Sequence, residues 1–159
     1  MVVLVHMKYL ILENIRSAYN VGAMFRTADG AGVSKIFLIG YTPSPIDRFG
    51  RVQSEIKKTS LGASEEIAWE HHDDVIEVIE SLKTEGVQVV AVEQKPESVS
   101  LGKFQPLEKV AYILGNEIDG VSGDALQLAD VVVDLPMLGS KESLNVSVTA
   151  GIILYHDLT

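Results

Sequence analysis

The amino-acid sequence predicts an α/β fold with a mostly parallel sheet flanked by helices. Short runs rich in apolar and β-branched residues alternate with longer segments of helical period, which is the order that strand–helix–strand units produce. Several of the short runs are apolar throughout, as expected for strands that are covered on both faces. The chain has 159 residues, of which 47% are hydrophobic, and this is enough for one domain with a substantial core.

Five strands are predicted from the apolar runs. Each run is four to six residues long and is followed by glycine, proline or polar residues that end it. The predicted strands are Tyr9–Leu12, Lys35–Ile39, Val87–Val92, Val110–Leu114 and Val131–Leu135.

Three helices are predicted between and after these strands. The first and second carry apolar residues at the spacing that forms one buried stripe, and the third is expected from about Ser143 to Tyr155. The stripe of the first helix consists of Val21, Met24, Phe25, Ala28 and Ala31, and that of the second of Val75, Val78, Ile79 and Leu82.

Two long loops, Tyr41–Arg51 and Gln94–Pro106, interrupt this alternation, and loops of such length in a small domain are usually functional or mobile. We expect residues 1–159 to form a single domain without a separate binding domain. Residues 1–6 precede the first strand, and we expect them to be an added or disordered extension.

Composition excludes several classes of protein. The chain has no cysteine, which excludes disulfides and thiolate chemistry and fits a reducing cytoplasm. No apolar run reaches the roughly 18 residues of a membrane helix, and the apolar start is too short for a signal sequence.

The net charge of −9 argues against non-specific coating of nucleic acid, which depends on neutralised phosphates. Basic residues are nevertheless concentrated in one segment, and they could serve a nucleic acid or form an ordinary solvated surface. These residues are Arg48, Arg51, Lys57 and Lys58.

A first group of polar residues lies where the first helix begins. Asn20 is suited to cap that helix, and Gly22, Arg26 and Asp29 then share one face. Glycine within a helix costs up to about 1 kcal/mol relative to alanine, so Gly22 is expected to make room for a neighbour. The pattern fits either a site around Arg26 or a capped surface helix with an Arg26–Asp29 ion pair.

A second group follows the fourth predicted strand. Gly115, Asn116 and Glu117 stand where that strand ends, and ligands of open α/β sheets bind beyond the carboxyl ends of strands. Glycine there lets a ligand approach the backbone. The alternative is a simple turn with a solvated Glu117.

A third group follows the last predicted strand. Ser143 is suited to cap the last helix, which would leave Asn145 in its first turn beside unpaired N–H groups. Ser147 and Ala150 lie on a small-residue face that we attribute to close packing. The alternative is that Ser143 is only a cap.

Together the three groups resemble the motifs of the SpoU (TrmH-like) branch of the SPOUT RNA methyltransferases. The motifs are Asn-x-Gly-x-x-x-Arg-Thr, Gly-Asn-Glu-x-x-Gly and Ser-Leu-Asn-Val-Ser-Val-x-Ala, and they occur in this order between about Lys8 and Tyr155. No dinucleotide-binding or phosphate-loop pattern is present.

The resemblance implies a fold whose C-terminal segment makes a deep trefoil knot, an exception to the rule of unknotted chains. It also implies a homodimer with S-adenosyl-L-methionine held among loops at about Val92–Lys95, Leu114–Ile118 and Leu135–Asn145. The residues expected to bind the cofactor are Glu93, Leu114, Gly115, Asn116, Leu135, Ser143 and Leu144.

The activity implied is methyl transfer to a ribose 2′-hydroxyl of tRNA or rRNA in the cytoplasm, with no metal and no membrane. The residues expected to be catalytic are Asn20, Arg26, Glu117, Ser143 and Asn145. The resemblance implies that Arg26 activates the hydroxyl. A guanidinium is a weak base, so Arg26 is expected either to act as a base or to stabilise the alkoxide as a cation. Glu117 and Asn145 would position Arg26 and the ribose, and Ser143 would contact the cofactor or a phosphate.

Two other functions fit the same residues. One is a non-catalytic protein of this fold that binds RNA or cofactor, and the other is an unrelated α/β enzyme that acts on a small nucleotide ligand. The basic residues Arg48, Arg51, Lys57 and Lys58 are the predicted RNA contact in the first case and in the methyltransferase.

Overall fold

The computed structural model describes residue 5 and residues 7–158. Its strands are β1 (Met7–Glu13), β2 (Lys35–Ile39), β3 (Ala68–His72), β4 (Gln88–Val92), β5 (Val99–Ser100), β6 (Lys109–Leu114) and β7 (Val131–Asp134). Its helices are α1 (Ala18–Gly30), α2 (Ser54–Ser60), α3 (Ala63–Glu66), α4 (Val75–Thr84), α5 (Gly123–Leu128) and α6 (Val146–His156), with a short 3₁₀ turn at Leu101–Lys103.

The strands form one sheet in the order β3-β2-β1-β6-β4-β7-β5. Every neighbouring pair of these strands is parallel, so their carboxyl ends lie along one edge. The predicted α/β fold with a parallel sheet is confirmed. Three central strands, β1, β6 and β4, alternate their apolar side chains between two helical layers, which explains why their sequences are apolar throughout.

One layer consists of α1 and α6 together with α2, and the other consists of α4 and α5. Phe25 of α1 and Ile153 of α6 are completely buried on the first face, and Ile79 of α4 is completely buried on the second. The predicted apolar stripes therefore face the sheet, as their spacing requires.

Two strands were not predicted. β3 has the sequence Ala-Trp-Glu-His-His and lies at one edge of the sheet, where none of its residues is fully buried. β5 has two residues and lies within the predicted Gln94–Pro106 loop. Edge strands need no apolar alternation to be stable, so neither produces a pattern that can be recognised.

The caps of α1 and α6 differ from those predicted. Ser17, not Asn20, caps α1, since its hydroxyl accepts a hydrogen bond from the Asn20 N–H at 3.1 Å. Asn145, not Ser143, caps α6, since its side-chain oxygen accepts a hydrogen bond from the Ser147 N–H at 2.9 Å. Serine and asparagine are both strong N-caps, and the sequence offers one of each near both helix starts.

Gly22 allows α1 and α2 to approach closely. A Cβ at this position would overlap the Thr59 hydroxyl and lie 3.0 Å from the Ile56 carbonyl oxygen. Gly22 is buried, whereas Arg26 and Asp29 further along α1 are exposed. The glycine thus makes room for a neighbouring helix, which is its predicted role.

The end of α6 is tied to the centre of the sheet. Lys8 is 3% exposed, donates to the Leu154 carbonyl at 2.8 Å and lies 3.4 Å from the Asp157 carboxylate. The Tyr112 hydroxyl donates to the same carboxylate at 2.7 Å. Burial, followed by the charge of Asp157, raises the pKa of the Tyr112 phenol far above its ordinary value.

The prediction for residues 1–6 concerns mainly residues 1–4 and 6, which lie outside the described residues. Val5 packs against the core on the α1 side. No helix among the described residues is long and apolar enough to cross a membrane.

Candidate functional site

A cleft of about 480 Å³ opens at the carboxyl edge of the sheet, beyond β4 and β6. It extends into a smaller cavity of about 90 Å³ beside the end of β7. The second and third sequence motifs form most of the walls. Residues lining the two cavities include Glu93, Leu114, Gly115, Asn116, Glu117, Leu135, Ser143, Leu144 and Asn145.

One wall is a tight hairpin formed by residues 115–121. The backbone of Asn116 exchanges two hydrogen bonds with that of Gly120, at 3.1 and 2.9 Å. A Cβ at position 115 would overlap the backbone of Gly120 and Val121. Gly115 is therefore required by the hairpin itself, in addition to any contact with a ligand.

Two carboxylates hold this hairpin in place. Glu93 accepts a hydrogen bond from the Val121 N–H at 3.0 Å. Glu13, at the end of β1 and only 4% exposed, accepts from the Ser122 N–H at 2.9 Å and from its hydroxyl at 2.7 Å. Sequence reasoning missed Glu13, and the available signal was an acid that directly follows four apolar strand residues.

Glu117 connects the second motif to the first. Its carboxylate accepts hydrogen bonds from the Arg16 N–H at 3.0 and 3.2 Å and from the Ser17 N–H at 3.2 Å. The structure places its carboxylate on the backbone that leads into α1, where it holds the Ser17 cap of that helix. The prediction that Glu117 positions Arg26 and the ribose stays a prediction.

Asn116 was predicted to contact the cofactor, and its side chain is already fully engaged. Its amide nitrogen donates to the Asn14 carbonyl at 2.9 Å and to the Tyr41 hydroxyl at 2.8 Å. Its amide oxygen accepts from the N–H groups of Ile118 and Asp119, both at 2.8 Å. The side chain of Asn116 therefore holds the wall of the cleft together, which leaves it no polar atom for a ligand.

The third motif forms the opposite wall. Asn145 caps α6, and its side-chain oxygen also accepts from the Ser147 hydroxyl at 2.6 Å. Ser143 is exposed at the cleft, and Leu144 keeps 39% of its surface exposed there. This wall thus combines an apolar side chain with free polar atoms.

Arg26 and Asn20 do not line the cleft. Asn20 is 9% exposed within α1, and Arg26 lies in a separate open groove of about 840 Å³, which is also lined by Tyr19, Lys58 and Tyr155. Among the described residues, Arg26 makes no ion pair with Asp29. One chain therefore brings together three of the five predicted catalytic residues: Glu117, Ser143 and Asn145.

The predicted RNA-contact residues are all exposed. Arg48 and Arg51 belong to the loop after β2, whereas Lys57 and Lys58 belong to the last turn of α2. Hydrogen bonds from Arg51, first from its backbone and then from its side chain, lower the pKa of the neighbouring Asp47 carboxyl.

The described residues contain no group of three or more histidine, aspartate or glutamate side chains placed to hold a metal ion. The ligand chemistry that the cleft offers is consequently that of backbone groups, carboxylates, hydroxyls and apolar surface.

A model of the SpoU rRNA methylase family matches residues 7–155. The chain belongs to the SpoU rRNA methylase family. The match includes all three motifs and every strand of the sheet, so the resemblance inferred from the motifs is confirmed, and the alternative of an unrelated α/β enzyme is wrong.

Two curated relatives illustrate the likeness of this SpoU family member. It is 31% identical over 145 residues to a 23S rRNA (guanosine-2′-O-)-methyltransferase of Neisseria meningitidis serogroup B, covering 91% of the chain and 55% of the relative. It is also 31% identical over 143 residues to a tRNA (guanosine(18)-2′-O)-methyltransferase of Aquifex aeolicus, covering 90% and 64% respectively. The chain thus spans somewhat more than half the length of these relatives.

Among solved structures, the chain is similar to an AdoMet-bound rRNA methyltransferase from Sinorhizobium meliloti. The TM-score is 0.85 with 28% sequence identity, and the match covers 95% of this chain and 55% of the other.

Proposed function

We propose that this SpoU family member transfers a methyl group from S-adenosyl-L-methionine to a ribose 2′-hydroxyl of tRNA or rRNA. The observation that carries the proposal is the cleft at the carboxyl edge of the sheet, whose two walls are the second and third motifs. The two relatives described above, one acting on rRNA and one on tRNA, are both named as guanosine 2′-O-methyltransferases.

The cleft fits a cofactor of this kind. Its volume of about 480 Å³ lies within the range of small-molecule sites. Val92, Leu114 and Leu144 offer apolar surface for a planar base, and Glu93 and Ser143 offer polar atoms. The residues that would hold the cofactor are Glu93, Leu114, Gly115, Asn116, Leu135, Ser143 and Leu144.

When bound, S-adenosyl-L-methionine supplies an electrophilic methyl group on sulfur. The residues of the chain would then align the ribose oxygen with that methyl group and exclude water, which are the main contributions that geometry can make to such a displacement. Arg26 would contact the ribose oxygen or its phosphate and stabilise the negative charge that develops as the proton leaves. Asn145, at the start of α6, would position the ribose. Asn20, in the first turn of α1, is the other proposed catalytic residue.

The proposed active site needs two protomers. Arg26 points into a groove that is separate from the cleft of its own chain, so a second copy would have to supply the arginine. α6 presents an exposed apolar face beside that groove, with Val148 at 50%, Ile152 at 41% and Tyr155 at 45% exposure. An apolar face of this kind on a helix is typical of an interface.

We also propose the trefoil knot. The chain leaves β4, forms β5 at the far edge of the sheet and returns to form β6, whereas β7 is inserted between β4 and β5. From β7 the chain travels back across the sheet, so that α6 packs beside α1. This strand order supports a C-terminal segment that is threaded through the loop joining β4 to β6. Location in the cytoplasm is part of the same proposal and rests on the absence of cysteine from the sequence.

The test separates binding from turnover. Calorimetry with S-adenosylhomocysteine is expected to give a single site per chain, and transfer of labelled methyl to bulk tRNA or rRNA should be lost in Arg26→Ala with cofactor affinity unchanged. Lys103→Ala, which removes an exposed cation from the 3₁₀ turn, is the matched control and should transfer normally. Cofactor binding without transfer by the wild type would favour the non-catalytic alternative, and absence of cofactor binding would contradict the proposal.

A further inference from the structure

Residues 46–52 form a closed loop at the carboxyl edge of β2, here named the Arg-Phe loop. Its ends pair through an antiparallel bridge between Ile46 and Val52. Inside it, the Asp47 N–H donates to the Arg51 carbonyl at 2.9 Å, and the Gly50 N–H donates to the Asp47 carbonyl at 3.0 Å. The tip is thus fixed by backbone hydrogen bonds.

The Asp47 carboxylate fixes the loop further. One oxygen accepts hydrogen bonds from the N–H groups of Phe49 and Arg51, both at 2.9 Å. The other oxygen accepts from the Arg51 Nε at 2.8 Å. This arrangement orders the tip before any ligand arrives, which reduces the entropy lost on binding.

The loop presents an aromatic ring with two cations close to it. Phe49 is 67% exposed, and the guanidinium carbons of Arg48 and Arg51 lie 4.9 and 5.0 Å from its ring centroid. Because Arg51 is held by Asp47, Arg48 is the cation that can move away from the ring toward an incoming group.

An aromatic ring and guanidinium groups together recognise an unpaired nucleotide. The ring offers a stacking surface for any base, and a guanidinium pairs with the phosphate. In a duplex, the base faces are already stacked and out of reach. The charge of the loop is also complementary to RNA in a protein whose net charge is −9.

The Arg-Phe loop lies on the same side of the molecule as the cleft. The segment that leads to the loop follows β2, and the hydroxyl of Tyr41 in this segment accepts a hydrogen bond at 2.8 Å from Asn116, which lines the cleft. The start of the segment that carries the loop is therefore in contact with the wall of the cleft.

We propose that the Arg-Phe loop binds an unpaired nucleotide of the RNA substrate, with the base stacked on Phe49 and the phosphate paired with Arg48. This inference rests on the proposed function, since it assumes that RNA is the substrate. It assigns Phe49, which no sequence motif singled out, to RNA recognition.

The test compares two fluorescently labelled RNAs, a stem–loop with an unpaired loop and a blunt duplex of the same composition, over a series of salt concentrations. Phe49→Ala should weaken stem–loop binding about tenfold, leave duplex binding unchanged and keep the salt dependence of the wild type. Arg48→Gln should reduce the slope of log affinity against log salt by about one, the change expected for the loss of one phosphate contact. Phe49→Trp should restore stem–loop binding.

Leu107→Ala is the matched control, because Leu107 is 56% exposed and precedes β6. It therefore lies at the amino ends of the strands, away from the Arg-Phe loop. It should bind both RNAs as the wild type does. Wild-type affinity in Phe49→Ala would overturn the inference. A change of oligomeric state in that variant would also overturn it, because Phe49 would then contact a second copy of the chain and not RNA.

The two proposals fail separately. If the protein does not transfer methyl groups but Phe49→Ala still loses the preference for the stem–loop, only the proposed function is contradicted. If methyl transfer to a 2′-oxygen is observed and Phe49→Ala binds and transfers normally, only the assignment of the Arg-Phe loop is contradicted.

Discussion

Glu117 contributes to the candidate site through the backbone of the first motif. Its carboxylate receives three hydrogen bonds from two N–H groups, and hydrogen bonds to a charged acceptor are worth about 1.5–3 kcal/mol each. Glu117→Gln keeps the shape but loses the charge, so we expect methyl transfer to fall about tenfold or more, with the start of α1 less ordered. Single-turnover rates measure the first effect, and hydrogen exchange at Arg16 and Ser17 measures the second.

Glu108→Gln provides the control for Glu117→Gln, because Glu108 is an exposed acid at the other edge of the sheet. A slow Glu117→Gln variant whose exchange at Arg16 and Ser17 is unchanged would show that the carboxylate acts directly on substrate and that the positioning role is wrong.

Glu70 gives the edge strand β3 a pH-dependent contact. A hydrogen bond from Lys35 at 2.5 Å, followed by one from His72 at 2.9 Å, lowers the pKa of Glu70 below its ordinary value of 4.5. Since the folded pKa is the lower one, the contribution to stability is present above pH 4.5 and is lost as the pH falls through the folded pKa. The pair is partly exposed, so the contribution is about 1 kcal/mol at most.

Urea unfolding of Glu70→Gln over a pH series tests this assignment. The variant should be less stable than the wild type at neutral pH, and the difference should shrink on acidification. Glu80→Gln, an exposed acid on α4, should show no such trend. A difference for Glu70→Gln that does not change with pH would contradict the assigned pKa shift.

Sequence reasoning at the residue scale identified side chains better than it identified their partners. The sequence motifs predict Glu117, Ser143 and Asn145 as site residues, and all three line one cleft. The partner of Glu117, Arg16, lies about a hundred residues away along the chain, and no local pattern contains that information. Glu13 was missed for the same reason, since Ser122 is its partner only in the folded chain.

At the scale of elements, a structural role can be distinguished from a chemical one at the start of α6, where Asn145 and Ser143 lie. Asn145 caps the helix, and Ser143 precedes it without capping. Asn145→Ala should lower the free energy of unfolding by about 1 kcal/mol, whereas Asn145→Asp should retain the cap. Ser143→Ala should change the stability by less than about 0.5 kcal/mol.

Thermal or urea unfolding measures these differences, and methyl transfer is measured on the same variants. Full activity in Asn145→Asp would reduce Asn145 to a cap, because aspartate lacks the amide donor. A loss of activity at unchanged stability would assign the amide group to the reaction. A large loss of stability in Ser143→Ala would contradict the observed cap.

Elements were predictable to the extent that they are buried. β1, β4, β6 and β7 cross the interior, so their apolar composition marks them clearly. β3 carries Glu70 and two histidines because it is half exposed at the edge, and its sequence is that of a surface segment. The caps could be predicted by residue type but not by position, because several cap-forming residues occur near each helix start.

For the whole molecule, the separation of Arg26 from the cleft leads to a test of shared active sites. If each site uses Arg26 of one protomer and Asn145 of the other, a mixed dimer of Arg26→Ala and Asn145→Ala chains has one intact site. Re-equilibrated equimolar mixtures should then regain about a quarter of the wild-type activity, since half of the dimers are mixed. Each variant alone should be inactive.

Ile152→Lys on the exposed face of α6 is the companion variant and should be monomeric and inactive by light scattering and methyl transfer. Mixtures without recovered activity, in dimers shown to have exchanged subunits, would place each site within one chain.

The overall architecture could be predicted from sequence, whereas the strand order could not. Alternating apolar runs predict α/β layers, but they do not reveal that β7 is inserted between β4 and β5. That insertion consists of the pairing of β7 with β4 and β5, two strands that are not its neighbours along the chain.

Methylation of a ribose oxygen is the activity that we propose for this protein. The most direct measurement is nucleoside mass spectrometry of separated tRNA and rRNA pools after incubation with labelled S-adenosyl-L-methionine. We predict the label in a 2′-O-methylated nucleoside from one of the pools, and its absence with Arg26→Ala. Label on a base, or no label in either pool from protein that binds the cofactor, would contradict the claim.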